Sequence, residues 1–204
     1  FVILHPSAGN GADFRLLGPT IDHKLLMHAA VSKILGKAKP KIKALLRTRP
    51  FYSVGELIKQ YKCHVLPLME SASGAIYHAA NSILDPLDRA QSSFLHTVGV
   101  EPPEAFTSYN LAPLSFRRDV AMLGLLHKCA TGVAHPLFMS LFPLSDAIPH
   151  THNTRLQQRR HDKQLIERCD GSHSFQFGRS VFALTRIYNL LPQSTVDLCS
   201  ISAF

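Results

Sequence analysis

Residues 27–49 read MHAAVSKILGKAKPKIKALLRTR, and this stretch decides the fold of the chain. Its apolar positions recur every three or four residues, which is the spacing that places side chains on one face of a helix. Those positions are Met27, Val31, Ile34, Ala38, Ile42 and Leu45. Pro40 is expected to kink or divide the helix, because proline has no backbone N–H and its ring crowds the preceding turn. The stretch predicts a long helix buried along one side.

The other faces of this helix carry two rows of cations without one acidic residue. The rows are Lys33, Lys37 and Lys41 on one line and Lys39, Lys43 and Arg47 on the next, with Arg49 just beyond. A charge run is most often an ordinary solvated face, but here the repulsion is unrelieved within the helix. Such rows can follow the phosphates of a nucleic-acid backbone without reading its base sequence. We predict nucleic-acid-binding residues at Lys33, Lys37, Lys41, Lys43, Arg47 and Arg49.

A small β-hairpin is predicted before this helix. The segments 1–4 and 14–17 are short β-prone runs, and turn-forming residues separate them. After Pro19 the helical pattern begins, and the carboxylate of Asp22 is expected to cap it by accepting the first free N–H groups.

Two more helices complete a predicted bundle. Ser53 and Glu56 have the spacing of a capping box, which opens a second helix that Pro67 is expected to kink. A third helix is predicted over residues 84–98, with Gly99 as its C-terminal stop.

A subdomain boundary is expected at Pro102-Pro103, because consecutive prolines remove backbone donors and hold the chain extended. Helices resume beyond it, interrupted by a polar loop at about 143–154, and residues 155–168 form a basic segment that can be helical. The predicted fold is mainly α, with a small N-terminal β-hairpin, a three-helix bundle and a second helical subdomain.

Composition favours an anionic partner. The chain has 204 residues and a formal net charge of +8, which favours association with polyanions. Its cysteines are widely spaced, so we expect a reduced, intracellular chain without a disulfide-linked partner. No apolar run approaches the ~20 residues that span a bilayer, so no membrane partner is expected. The first residue, Phe1, and the apolar last residues predict a fragment of a longer protein.

No catalytic or metal-binding residue is predicted. Zinc-type ligands at His150, His152, Cys169 and His173 fit no closed spacing pattern. The chain has neither a GxSxG elbow nor a GxxxxGK[ST] phosphate loop. Asp85 and Asp88 flank Pro86, which indicates a helix start and not a metal pair. A self-contained hydrolase or metal enzyme therefore stands only as a third alternative.

Short motifs follow one another in a fixed order along nearly the whole chain. They are Phe14-Arg15-Leu16-Leu17-Gly18, Leu45-Leu46-Arg47-Thr48-Arg49, Glu56-Leu57-Ile58, Val65-Leu66-Pro67 with Glu70, Leu87-Asp88-Arg89-Ala90-Gln91, Asn110-Leu111-Ala112-Pro113-Leu114, Arg117-Arg118-Asp119 and Tyr188-Asn189-Leu190-Leu191-Pro192. In this order they resemble the region that follows the catalytic palm in non-LTR (LINE-type) retrotransposon reverse transcriptases. Tyr188 stands where that family usually has Trp.

The resemblance implies a role for each part of the chain. Residues 1–22 would form the palm-edge hairpin, residues 23–100 a thumb-like three-helix bundle, and residues 101–204 a helical extension. The primer-grip-like residues would be Phe14, Leu16, Leu17 and Gly18. The implied partners are an RNA/DNA template-primer duplex and the upstream polymerase palm, and the implied location is nuclear.

The resemblance also implies that the chemistry lies elsewhere. The chain lacks the Tyr/Phe-x-Asp-Asp box, so Mg²⁺ would be bound by the missing palm upstream of Phe1, and this chain would hold no cofactor. We therefore expect a fragment of a retrotransposon RNA-directed DNA polymerase that binds the template-primer duplex and is inactive alone. The alternative is a helical protein-interaction module with no nucleic-acid role, in which the charge only maintains solubility.

Overall fold

A computed structural model describes residues 14–15, 18–145, 161–167, 178 and 180–198. The described part is mainly helical with one small antiparallel sheet near the N-terminus, which confirms the predicted fold class. The chain divides into two compact units, Phe1–Arg118 and Asp119–Phe204.

Unit 1 contains the sheet and the longer helices. Its elements are β1 (Phe14–Arg15), β2 (Thr20–Ile21), α1 (His28–Arg47), a 3₁₀ turn (Arg49–Phe51), α2 (Val54–His64), α3 (Leu66–Glu70), α4 (Ser73–Ile76), α5 (Asn81–Val98) and α6 (Pro102–Tyr109). Helix α7 (Leu114–Ala130) begins in unit 1 and continues into unit 2. Unit 2 also contains α8 (Pro136–Leu141), α9 (Val181–Asn189) and α10 (Gln193–Val196).

The hairpin forms around a different turn from the one expected. Phe14 pairs with Ile21 and Arg15 with Thr20, so the chain reverses at Gly18 and Pro19. Gly18 has a φ of 122°, a left-handed value that glycine adopts without the clash a Cβ would cause. The predicted strand at residues 1–4 lies outside the described residues.

Asp22 does not cap α1 as expected, because the helix begins six residues later, at His28. Its carboxylate accepts hydrogen bonds from the backbone N–H groups of Leu26 at 2.9 Å and Met27 at 2.6 Å. The hydrogen bond from Leu26 is the largest of the interactions that lower the pKa of Asp22. Asp22 thus stabilises the turn that enters α1, where Met27 has a left-handed φ of 66°.

Pro40 does not divide α1, which runs unbroken over 20 residues from His28 to Arg47. Proline removes one backbone hydrogen bond, but Ala38 and Ile42 on either side of it are both buried. Burial of the apolar face therefore outweighs the lost bond, because most helix stability in proteins comes from such packing.

The apolar face of α1 packs against α2, α3 and α5. Between α2 and α5, the rings of Tyr61 and Phe94 stack with centroids 4.4 Å apart and planes 16° from parallel. The Tyr61 hydroxyl donates to the sulfur of Met69 at 3.3 Å, and burial raises the pKa of Tyr61. This cluster forms part of the surface against which α1 packs.

The predicted helix ends are largely confirmed. Ser53 and Glu56 form the expected capping box, in which the Glu56 carboxylate accepts the Ser53 N–H at 2.8 Å. Gly99 ends α5 with a φ of 79°. Pro67 does not kink α2, because α2 ends at His64 and the proline occupies the first turn of α3, where its missing N–H costs nothing.

Polar contacts tie the motifs of unit 1 together. Glu70 pairs with Arg117, Asp88 accepts a hydrogen bond from Arg118 at 2.8 Å, and the Gln91 amide donates to the Ala112 carbonyl at 2.9 Å. Unit 1 therefore extends to Arg118, beyond the boundary expected at Pro102-Pro103. Those prolines instead open α6, where proline is well tolerated.

Tyr188 and Asn189 organise unit 2. The buried Tyr188 hydroxyl lies 3.1 Å from Nδ1 of His127, and its carbonyl lies 3.1 Å from Nε2 of His161. The side-chain amide of Asn189 accepts a hydrogen bond from the Leu165 N–H at 2.9 Å and donates one to the Leu165 carbonyl at 2.8 Å. Burial lowers the pKa of His127.

The described part of the basic segment, residues 161–167, is not helical, because its backbone pairs with Asn189 and with Leu144.

The Asp88–Arg118 pair gives an asymmetric prediction for stability. The Arg118 side chain is 7% exposed and that of Asp88 is 29% exposed. Asp88→Ala leaves a buried cation without its counterion and should lower the free energy of unfolding by about 2 kcal/mol, somewhat less than for a fully buried pair. Arg118→Met instead leaves the Asp88 carboxylate unpaired, and because that carboxylate is 29% exposed the change should cost less, about 1 kcal/mol.

Urea unfolding followed by circular dichroism measures both changes. Asp85→Ala, an exposed carboxylate one turn earlier in α5, is the matched control and should change stability by less than about 0.5 kcal/mol. Equal losses for Asp88→Ala and Arg118→Met would contradict the predicted asymmetry.

Candidate nucleic-acid interface

All six predicted nucleic-acid-binding residues are exposed in the structure. Five lie on α1 (Lys33, Lys37, Lys41, Lys43 and Arg47), and Arg49 opens the 3₁₀ turn that follows. Lys39, on the same helix, is exposed too. The ion pairs seen among the described residues involve Arg117, Arg118 and Lys163, so they use none of these cations. The positive charge of α1 therefore faces solvent without a counterion from the described parts of the chain.

The two rows of cations lie on opposite shoulders of α1. At 3.6 residues per turn, the row from Lys33 to Lys41 runs along the side next to α2 and α3, and the row from Lys39 to Arg47 along the side next to α5. Exposed residues with small or ring side chains form the ridge between them: Gly36, Pro40 and Ala44. The rows thus lie on either side of a low ridge.

The hairpin joins this basic surface at its N-terminal end. A hollow of about 180 Å³ lies between the hairpin, α1 and the residues around α3, and three cations line it: Arg15, Lys33 and Lys37. The Lys33 ammonium donates to the Thr20 hydroxyl at 3.4 Å. Arg15 was not predicted as a site residue, because only the pairing of β1 with β2 brings it next to α1.

Two of the four primer-grip-like residues can be placed. Phe14 lies in β1 and is half-buried, and Gly18 lies exposed at the turn and lines the basic hollow. Leu16 and Leu17 lie outside the described residues.

A second groove runs along the other shoulder, between α1 and α5. It measures about 450 Å³, its apolar floor includes Ile42 and Leu46, and its cations are Lys39, Lys43 and Arg89. Arg89 was not predicted as a site residue either, because it lies far from the lysines in sequence and comes close to them only when α5 packs on α1.

A third groove lies between the C-terminal half of α1 and α2. It measures about 380 Å³ and is lined by Lys41, Ala44, Leu45, Thr48, Tyr52, Gln60, His64 and Val65. Tyr52 is 47% exposed and the neighbouring Phe51 is 83% exposed. This end of the basic surface thus combines cations with exposed aromatic rings.

Within the described ranges, no group of three or more His, Cys, Asp or Glu side chains is arranged to hold a metal ion. Asp88, one of the carboxylates considered from sequence, is paired with Arg118. The zinc-type ligands His150, His152, Cys169 and His173 lie outside the described residues. No described helix has the length and apolar character needed to cross a bilayer.

Comparison with protein-family models gives no match, and comparisons with curated proteins and with solved structures give no significant match. The relationship to LINE-type reverse transcriptases therefore stays a prediction from the sequence.

The unpaired charge on α1 should cost folding stability. Lys37 lies one turn from both Lys33 and Lys41, and like charges at this spacing repel each other. Lys37→Glu replaces two repulsions by two attractions, so at low ionic strength it should raise the free energy of unfolding by about 1 kcal/mol. Lys37→Gln, which only removes the repulsions, should give about half that gain.

Thermal unfolding at low salt measures the effect, and the gain should shrink in high salt because the charges are screened. If Lys37→Glu leaves the protein less stable than the wild type at low salt, the cations of α1 are not in mutual repulsion.

Proposed function

We propose that this chain is a fragment of a retrotransposon RNA-directed DNA polymerase and that α1 binds the sugar-phosphate backbone of an RNA/DNA template-primer duplex. The observation that carries the proposal is the run of exposed cations along α1, with no acidic residue between His23 and Gly55. Each phosphate that a lysine neutralises releases a counterion, and this release drives binding without base recognition.

The shape of the surface supports a backbone contact. Because the ridge residues Gly36, Pro40 and Ala44 project little, a polyanion can approach the helix closely while lysines reach it from both shoulders. From Lys33 to Arg47 the helix rises by about 21 Å at 1.5 Å per residue. That length corresponds to roughly six base-pair steps of 3.4 Å, so one helix can follow about half a turn of duplex.

The hairpin supports the thumb-like assignment. Arg15 and Gly18 bring the hairpin turn to the N-terminal end of the cation rows, where a bound duplex would extend toward the upstream palm. Nucleotidyl transfer would be carried out in that palm by a pair of Mg²⁺-binding aspartates. The contribution of this chain is to hold and orient the duplex. A nuclear location is part of the same proposal.

Binding of the full chain to a 14-base-pair RNA/DNA hybrid, followed by fluorescence anisotropy across a range of salt concentrations, tests the proposal. Affinity should fall steeply with salt. The triple variant with Lys33→Glu, Lys37→Glu and Lys41→Glu should bind more weakly and reduce the slope of log K against log salt by roughly 2 to 3, since each lost phosphate contact removes about 0.9.

A triple variant of equal charge provides the control. Lys59→Glu, Lys128→Glu and Arg186→Glu change cations on α2, α7 and α9, and both triples lower the formal net charge from +8 to +2. The control should keep most of the wild-type affinity. Equal weakening by the two triples would show that only total charge matters, and salt-independent binding or no binding would refute the proposal.

A second candidate, the helical protein-interaction module, is favoured by a separate apolar patch around α8. Val133 and Leu137 are about 70% exposed, and Phe138 and Leu141 are each 43% exposed. An apolar row of this kind can pack against a partner helix. The patch lies in unit 2, and the charge reversals on α1 leave it intact, so the two functions can be tested separately.

A further inference from the structure

The C-terminal end of α1 carries an exposed aromatic pair that packing does not explain. Phe51 is 83% exposed in the 3₁₀ turn, and Tyr52, 47% exposed, follows it directly. An isolated surface phenylalanine needs no explanation, but here two exposed aromatic residues follow each other in the chain, between Arg49 and the capping box at Ser53.

The groove beside Tyr52 has polar groups placed over an apolar floor. Ala44, Leu45 and Val65 contribute the apolar part, while the Thr48 hydroxyl, the Gln60 amide and the His64 imidazole lie around it. The Thr48 hydroxyl donates to the Leu45 carbonyl at 2.7 Å, which leaves its oxygen as an acceptor. A groove of about 380 Å³ falls within the usual size of small-molecule sites.

Charge indicates what the groove binds. Lys41 lines it, and Arg49 opens the 3₁₀ turn that leads to Tyr52. A flat aromatic ring next to cations suits a nucleotide, because the base can stack on the ring while the phosphate meets the cation. An apolar peptide would gain little from these cations.

We propose that Tyr52 and Phe51 form a stacking site for unpaired nucleotides, with Lys41 and Arg49 holding the phosphates. One base would enter the groove against Tyr52, and the next would stack on Phe51. The inference rests on the proposed duplex binding and adds to it a specific ligand, namely a single-stranded extension of the duplex. The stacking chemistry is the same for RNA and DNA extensions.

The experiment compares three ligands on the full chain: a blunt 14-base-pair RNA/DNA hybrid, the same hybrid with a four-nucleotide RNA extension, and the same hybrid with a four-nucleotide DNA extension. The wild type should bind at least one extended hybrid at least fivefold more tightly than the blunt one. Tyr52→Ala and Phe51→Ala should each lose that preference while binding the blunt hybrid as the wild type does, because a stacked base contributes roughly five- to hundredfold in affinity.

Phe138→Ala is the matched control. Phe138 is also an exposed phenylalanine, but α8 contains no Lys or Arg, so the preference for the extension should remain.

The chain has no tryptophan, and Phe51→Trp therefore introduces a single fluorescent reporter. Its emission should be quenched by the extended hybrid and much less by the blunt one.

The outcomes separate this inference from the proposed function. Tight binding of the blunt hybrid, with no gain from either extension and no quenching at position 51, would overturn the stacking site and leave duplex binding standing. Binding of extended strands but not of the blunt hybrid would support the stacking site and refute duplex binding. If the wild type dimerises without nucleic acid and Phe51→Ala abolishes the dimer, a second copy covers the site and the inference fails.

Discussion

The burial of one face of α1 is the constraint on which the rest of unit 1 depends. Because Val31, Ala38 and Ile42 must lie against α2, α3 and α5, the rotation of the helix about its own axis is fixed. That rotation turns every lysine of α1 toward solvent. The stack of Tyr61 on Phe94 and the ion pair between Asp88 on α5 and Arg118 on α7 stabilise the helices around α1. Core packing thus sets the geometry of the basic surface.

The basic surface carries a cost that packing does not explain. Lysines spaced by one turn repel each other, and a fold selected for stability alone would alternate them with Glu. Carboxylates occur elsewhere in unit 1, where Glu70 and Asp88 pair with Arg117 and Arg118. These carboxylates pair with arginines, and none lies along α1. This pattern is expected of a surface that meets a polyanion.

Local sequence signals predicted the helices of unit 1 well. The periodicity of residues 27–45, the capping box at Ser53 and the stop at Gly99 each depend on interactions within a few residues, and the structure confirms all three. Predictions that required a comparison of opposing effects were wrong. The proline rule predicted a kink or a division of α1 at Pro40, and the division does not occur, because burial on both sides of the proline keeps the helix continuous.

The candidate site was only partly predictable, because its assembly is tertiary. The lysines of α1 could be predicted as site residues directly from the sequence, because they lie on one helix. Arg15 and Arg89 come from β1 and α5, and no spacing rule links them to those lysines. The grooves likewise form only when neighbouring helices pack. The order of the short motifs suggested a family, but contacts such as Asp88–Arg118 show how the motifs stabilise the fold and do not identify the ligand.

The central claim is that the outer face of α1 is the surface that meets nucleic acid. Acetylation of lysines with and without excess RNA/DNA hybrid, read residue by residue by mass spectrometry, tests it most directly. The account predicts that the hybrid protects Lys33, Lys37, Lys39, Lys41 and Lys43, while Lys59 and Lys128 react as in the free protein. Unchanged reactivity along α1, or protection confined to unit 2, would contradict it.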